Sequence, residues 1–165
     1  MTAAARAYVG LGGNLGDAGA TLRAALDALA ALPGTTLVAA SRLYRTPAWG
    51  VAGQPDFTNA VAALETTLAP RALLDALFAI ERRHGRDRAR EQGRWGPRTL
   101  DLDLLLHGDA VVDAPGLQLP HPRLHERGFV LLPLAEIAPA AIVPGRGRVD
   151  ALLRAVAVDG IQALG

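Results

Sequence analysis

The stretch Thr99-Leu100-Asp101-Leu102-Asp103-Leu104-Leu105-Leu106 constrains this chain more than any other. At its start, leucine and a polar residue alternate with a period of two, the mark of a strand with one face in a core and the other outside it. At a rise of about 3.3 Å per residue, Asp101 and Asp103 share one face about 7 Å apart, while Leu100, Leu102 and Leu104 point the other way. Two carboxylates at that spacing can bridge a pair of Mg²⁺ ions, which stand about 3.5–4 Å apart in two-metal sites. Oxygen ligands in a chain without cysteine favour magnesium over zinc. The same pattern also suits a half-exposed strand whose polar face happens to be acidic, so the pair alone leaves both readings open.

The charged residues nearby narrow the choice. All 17 basic residues are arginine, and seven of them lie between Arg82 and Arg98. Without lysine, a Walker-type phosphate loop, a Schiff base and a lysine general base are excluded, and any anion must be met by the planar fork of arginine. Residues 85–97 are charged, glycine-bearing and aperiodic, which predicts a loop of about a dozen residues and suggests a functional lid. Carboxylates, magnesium and arginines together make a triphosphate clamp. A formal net charge of +1 gives no reason to expect nucleic-acid binding. The longest apolar runs fall far short of the roughly 20 residues that span a bilayer, and no apolar signal segment opens the chain, so a cytoplasmic protein is expected.

The rest of the chain supplies an alternating order of elements. Tyr8–Leu11 reads as a buried strand ended by Gly12, Gly13, Asn14 and Gly16, with Gly12-Gly13 as a tight turn. Asp17 can cap a helix to about Leu32 that presents Leu22, Leu26 and Leu29, and Pro33-Gly34 stops it. Thr36–Arg45 and Phe57–Thr66 read as an antiparallel strand pair, with a loop through Gly50 and Gly53 between them. Pro70 opens a helix that presents Leu73, Leu74, Leu77 and Ile80 and ends near Gly85. After the Asp101–Asp103 strand come a short return strand at Val111-Val112, a proline-rich turn and a helix from about Glu126 to Ile137 despite Pro133. The part after Ile142 carries little pattern. This order predicts a single domain over residues 1–165, an α+β sandwich of helices on a mixed, mostly antiparallel sheet.

The segment from Arg94-Trp95-Gly96-Pro97-Arg98 through Asp101 and Asp103 resembles the signature of the 6-hydroxymethyl-7,8-dihydropterin pyrophosphokinase family of folate biosynthesis. The resemblance runs from about Tyr8 to Pro144 and takes in Gly12 to Gly16, Tyr44-Arg45-Thr46-Pro47, Gln54 to Asn59, Pro120-His121-Pro122 and Glu126 to Phe129, in family order. It implies a ferredoxin-like scaffold and transfer of pyrophosphate from ATP to the hydroxymethyl group of the pterin, releasing AMP. It further implies that Asp101 and Asp103 hold two Mg²⁺ ions, with Asp101 also nearest the attacking hydroxyl. Arg86, Arg88, Arg94 and Arg98 would neutralise the triphosphate, and His121 and Arg127 would contact phosphate or ribose. Glu81 and the backbone near Leu104 would meet the nucleotide. Phe57 and Phe129 would sandwich the pterin, Asn59 would read its polar edge beside Thr46, Pro47 and Trp49, and Trp95 would close over it. The chain departs from the family's pattern at Gly13, commonly serine, in a longer arginine loop, and at Pro122, which is tyrosine in some relatives.

Two other functions fit parts of this pattern: a magnesium-dependent kinase of another small alcohol, and a non-catalytic ligand-binding module on the same scaffold. The clustered like charges at Arg94, Arg98, Asp101 and Asp103 speak against the module, which has no physical reason to keep them. The expected partners are therefore ATP and the pterin, with neither nucleic acid nor membrane, and the chain is expected to act as a monomer.

Overall fold

The computed structural model describes residues 3–47, 55–85 and 99–164. Strand β1 (Ala5–Gly13) is followed by helix α1 (Ala18–Ala30), strands β2 (Thr35–Ala40), β3 (Tyr44–Thr46) and β4 (Phe57–Thr66), helix α2 (Pro70–Arg83) and strand β5 (Asp101–His107). Hairpin β6 (Val112–Ala114) and β7 (Leu117–Leu119), a 3-10 turn (Leu124–Glu126) and helix α3 (Gly128–Ile137) come next. The chain ends in the small hairpin β8 (Ile142–Val143) and β9 (Gly147–Arg148), helix α4 (Val149–Arg154) and strand β10 (Gln162–Ala163).

The six-stranded sheet runs β10-β3-β4-β1-β5, with β2 also on β4, and each of these pairings is antiparallel. This is the split β-α-β-β-α-β arrangement of ferredoxin-like folds, in which β2 and β3 together take the place of one strand. Helices α1 and α2 form where the sequence says they should, whereas α4 lies in the part that carried little pattern. The Asp17 carboxylate accepts from Ala20 N at 3.0 Å and caps α1. Pro70 sits in the first turn of α2, and Arg82 and Arg83 complement the dipole at its end. The apolar faces of α1 and α2 meet Ala7, Val9, Leu11, Ala60, Ala62, Leu64, Leu100, Leu102 and Leu104. Each leucine fully buried there contributes about 1.5–3 kcal/mol. The opposite face of the sheet, through Val61, Leu105 and Leu106, packs on α3 and α4 by way of Val130, Leu131, Leu134 and Val149. The sheet is thus covered on one face by α1 and α2, and partly covered on the other by α3 and α4.

Three sequence expectations need correction. Gly12 and Gly13 are not a turn but the last two residues of β1, paired with Asn59 and Thr58. A turn pair was expected because glycine favours turns, yet here the neighbour on β4 dictates glycine: a Cβ at Gly12 would lie 2.9 Å from Asn59 Oδ1. The turn follows at Gly16, whose φ is +62°. Thr36–Arg45 is two strands. At the break Ser41 N donates to Val61 O at 2.9 Å, and Val61 N donates to Ser41 Oγ at 3.0 Å, so the side chain takes over a ladder bond and the backbone turns away. The return strand at Val112 has a partner the sequence reading missed: β7, reached through Pro115 and Gly116, where Gly116 has φ +73°.

Candidate active site

Asp101, Asp103, Asn59 and Tyr44 gather on the sheet face opposite α1 and α2, and strand register decides which side chains meet there. Residues directly opposite on antiparallel strands share a face. Gly12 pairs with Asp101 on one side and with Asn59 on the other, and Asn59 pairs with Tyr44. Asp101, Gly12, Asn59 and Tyr44 therefore form one row across β5, β1, β4 and β3. Beside it lies a second row in which Gly10 separates Asp103 from Val61. Neighbouring strands lie about 4.8 Å apart, so Asp101 and Asn59 stand roughly 10 Å from each other with only a glycine between them. On this floor β1 contributes no side chain of its own, and Asn59 stands against Gly12 and Leu105 against Gly10; it is acidic on one side and amide-bearing on the other.

Asp101 and Asp103 are half-buried on the face opposite Leu102 and Leu104, as their alternation predicts. Beyond Leu104 the register slips at a bulge, so that Leu105 and Leu106 both join the α3 side. On the amide side, Asn59 is 7% exposed and Thr46 2%. Asn59 Nδ2 donates to Thr46 Oγ1 at 2.9 Å, which fixes the carboxamide. Thr46 pairs with Phe57 at the end of the same hairpin. Asn14 Nδ2 holds the entry to β4 by donating to Pro55 O at 3.1 Å. Phe129, in the first turn of α3, packs at the edge of the α3-side core, and the Arg127 guanidinium stands 5.6 Å from its ring centroid in a cation–π contact.

A cavity of about 690 Å³ lies along the outer edge of β5. Leu102, Asp103 and Leu104 form one wall, Leu74 and Phe78 of α2 a second, and the β6–β7 turn with His121 and Pro122 the rest. Arg71 Nη2 donates to Pro115 O at 2.9 Å and ties that turn to α2. His121 is held by its own N–H, which donates to Leu105 O at 2.9 Å. Its Nδ1 accepts from Arg123 N at 3.2 Å, which leaves the proton of the neutral ring on Nε2. Burial, then the positive charge of Arg127, pushes the imidazole down to about 4, with Asp101 opposing the shift. His121 is thus a neutral donor at pH 7, not a cation. Glu81 is only 2% exposed, and its Oε2 accepts from Leu102 N at 2.7 Å. It is not among the described residues lining the cavity; it fastens α2 to the strand that forms the cavity wall.

The structure thus brings Asp101, Asp103, Leu104 and His121 to the β5 side, and Thr46, Phe57 and Asn59 to the β3–β4 side. Pro47 follows Thr46 directly, and Arg127 and Phe129 stand together at the start of α3. Trp49, Arg86, Arg88, Arg94, Trp95 and Arg98 lie outside the described residues. Sequence reasoning missed a cluster behind the row. The Tyr44 hydroxyl and Arg42 Nε both bond Glu136 Oε1, while Arg42 N donates to Glu136 Oε2 at 3.0 Å. Burial works to push the Glu136 carboxyl up, but Tyr44 and Arg42 together hold it below the usual carboxylate range. Tyr44 lies in the stretch Tyr44-Arg45-Thr46-Pro47, and no local pattern there points to a partner 92 residues away.

Among the described residues no cluster of three or more His, Asp or Glu side chains could cage a metal. Two carboxylates on one strand beside an open cavity instead suit Mg²⁺, which keeps several waters and binds through one or two carboxylates together with substrate phosphates. No described helix is long and apolar enough to cross a membrane.

Comparison with known proteins identifies the family of the chain. Residues 8–139 match the family described as 7,8-dihydro-6-hydroxymethylpterin-pyrophosphokinase (HPPK), a stretch that stops before α4 and β10. The chain is 50% identical over 159 residues to a Pseudomonas aeruginosa protein named 2-amino-4-hydroxy-6-hydroxymethyldihydropteridine pyrophosphokinase, covering 96% of each. A protein of the same name from Methylorubrum extorquens is 48% identical over 149 residues, 90% of this chain and 92% of that one. The crystal structure of wild-type Plasmodium falciparum HPPK-DHPS resembles the fold with a TM-score of 0.72 at 14% identity, over 94% of this chain. The present chain spans 45% of that one, and at such identity the likeness speaks for the fold alone.

Proposed function

The chain belongs to the 7,8-dihydro-6-hydroxymethylpterin-pyrophosphokinase family, and from that premise we propose that it transfers pyrophosphate from ATP to 6-hydroxymethyl-7,8-dihydropterin. The hydroxymethyl oxygen attacks the β-phosphorus, the bond from that phosphorus to the AMP oxygen breaks, AMP leaves with that bond's electron pair, and the hydroxyl proton passes to solvent. The observation that carries this reading is the row Asp101–Gly12–Asn59 beside the cavity on the outer edge of β5. A flat ring fits over the glycine floor with its polar edge on Asn59 and Thr46 and its hydroxymethyl arm toward Asp101. Phe57 and Phe129 supply the stacking faces, and Pro47 and Trp49 border the edge. Trp95 is assigned the cover of the ring by family resemblance alone.

The nucleotide occupies the cavity. The Leu104 backbone and His121, donating through Nε2, face it there, while Glu81 acts from behind by fixing β5. Asp101 and Asp103 would hold two Mg²⁺ ions, whose chemistry when bound is to neutralise the phosphate oxygens. Arg86, Arg88, Arg94 and Arg98 are assigned the triphosphate, and Arg127 reaches it from the Phe129 side. Catalysis then rests on alignment of two substrates and on charge placed where it develops. We propose that residues 1–165 act as one domain and as a monomer in the cytoplasm, a reading supported by all the assigned groups belonging to one sequence. The test is to incubate it with ATP, Mg²⁺ and the reduced hydroxymethylpterin and to weigh the products. AMP with a pyrophosphorylated pterin is expected; ADP would make the protein an ordinary kinase.

A further inference from the structure

The two walls of the pterin slot belong to different elements: the end of the β3–β4 hairpin and the first turn of α3. One later stretch of chain touches both. Leaving α4, it passes over Gly128 so closely that a Cβ there would overlap Ala157 O and lie 3.2 Å from Val158 Cγ1. Only glycine lets backbone rest on the helix start that closely. The chain then turns at Gly160, with φ +81°, where Ile161 N donates to Val158 O at 3.1 Å. A Cβ at Gly160 would stand 3.1 Å from Pro47 Cγ, so the turn abuts the residue that follows Thr46. Finally β10 adds to the outer edge of β3: Gln162 and Ala163 pair with Arg45 and Tyr44, and Leu164 N donates to Leu43 O at 2.8 Å. Arg45 Nη2 donates to Gln162 Oε1 at 2.7 Å across that edge.

We propose that the segment Ala157–Ala163 is a positioning strap that sets the spacing between the two walls of the pterin slot and thereby the affinity for the pterin. This rests on the pyrophosphokinase reading above. β3 is three residues long and pairs on its other edge only with β4, so β10 is what holds it from outside. The strap's contact with Gly128 fixes the backbone one residue before Phe129. A stacking slot binds tightly only if its walls are held apart at the ring's thickness before the ligand arrives, because ordering them on binding subtracts from affinity. The nucleotide cavity, by contrast, is lined by α2, β5 and the β6–β7 turn, and the strap touches none of these among the contacts described.

The test compares three proteins: the full chain, a chain truncated after Val156, and full-length Gly160→Val, which drives a branched side chain into Pro47. Calorimetry gives the affinity for a non-hydrolysable ATP analogue with Mg²⁺, and then for 6-hydroxymethylpterin with that analogue saturating. Both variants should lose about tenfold or more in pterin affinity, with analogue affinity within about twofold. If the truncated chain does not fold, Gly160→Val decides alone. Unchanged pterin affinity in that variant, or equal loss for both ligands, would overturn the strap. A full chain that binds pterin but makes no AMP would sink the pyrophosphokinase reading instead, and the affinity ratio would still judge the strap.

Discussion

Gly12→Ala tests the floor of the site with a single methyl group. Its Cβ would lie 2.9 Å from Asn59 Oδ1, closer than a Cβ is found to any such neighbour. Asn59 cannot simply swing aside, because its Nδ2 donates to Thr46 Oγ1 at 2.9 Å and both residues are buried. Either the carboxamide turns and that bond breaks, or β1 and β4 spread. Breaking it leaves buried polar groups unsatisfied, at about 1–3 kcal/mol. Since the same carboxamide is assigned the pterin edge, that figure passes into binding as a rise of about 5- to 150-fold in the pterin KM. The ATP KM should stay within about twofold, because the cavity proposed for the nucleotide lies beyond β5. Initial rates of AMP formation with each substrate varied in turn give both constants, and a thermal melt gives the stability cost. Gly10→Ala is the control: its Cβ would meet Leu105 at an ordinary 3.6 Å, so a methyl on β1 should cost little stability there. A pterin KM left unchanged by Gly12→Ala, or an ATP KM that rises equally, would refute the reasoning.

Asp101→Asn and Asp103→Asn should each nearly abolish turnover while leaving the thermal midpoint close to that of the unaltered protein. Near-normal rates at limiting Mg²⁺ would remove both carboxylates from the metal. Phe129→Ala should raise the pterin KM far more than the ATP KM, as steady-state kinetics with both substrates will show; equal rises would place the ring in the core. His121 gives a pH signature, since its imidazole sits at about 4 in the folded protein against an ordinary 6.5. The unfolded chain therefore binds the extra proton between these values, so stability should fall as pH drops from about 6.5 to 4, by up to about 3 kcal/mol. Urea unfolding of the unaltered protein and of His121→Gln at pH 4.5 and 7 checks this, and the substitution should flatten the difference.

What the sequence made legible was local. The alternation from Thr99 to Leu104 placed both carboxylates on one face without knowledge of any partner strand, and Asp17 and Pro70 opened their helices by capping rules that act within one turn. What stayed hidden depends on contacts between distant residues. The Gly12-Gly13 pair looked like a turn because glycine favours turns, whereas its reason for being glycine is Asn59, 47 positions along the chain. The break at Ser41 follows from its exchange with Val61, and β10 becomes a strand only because β3 offers an edge. Of the candidate site, only the shared face of Asp101 and Asp103 was readable from spacing, and His121 and Leu104 came through family resemblance. The amide side came only through family resemblance, since Asn59 and Thr46 meet across a hairpin whose loop has no periodic pattern.

A crystal structure of the protein with a non-hydrolysable ATP analogue, Mg²⁺ and 6-hydroxymethylpterin tests the central claim most directly. The account predicts the pterin ring over Gly12, its amide edge on Asn59 and Thr46, its hydroxymethyl oxygen on the Asp101 side, and the adenosine in the cavity between α2 and the β6–β7 turn. A pterin bound in that cavity, or a metal bound without either Asp101 or Asp103, would contradict it.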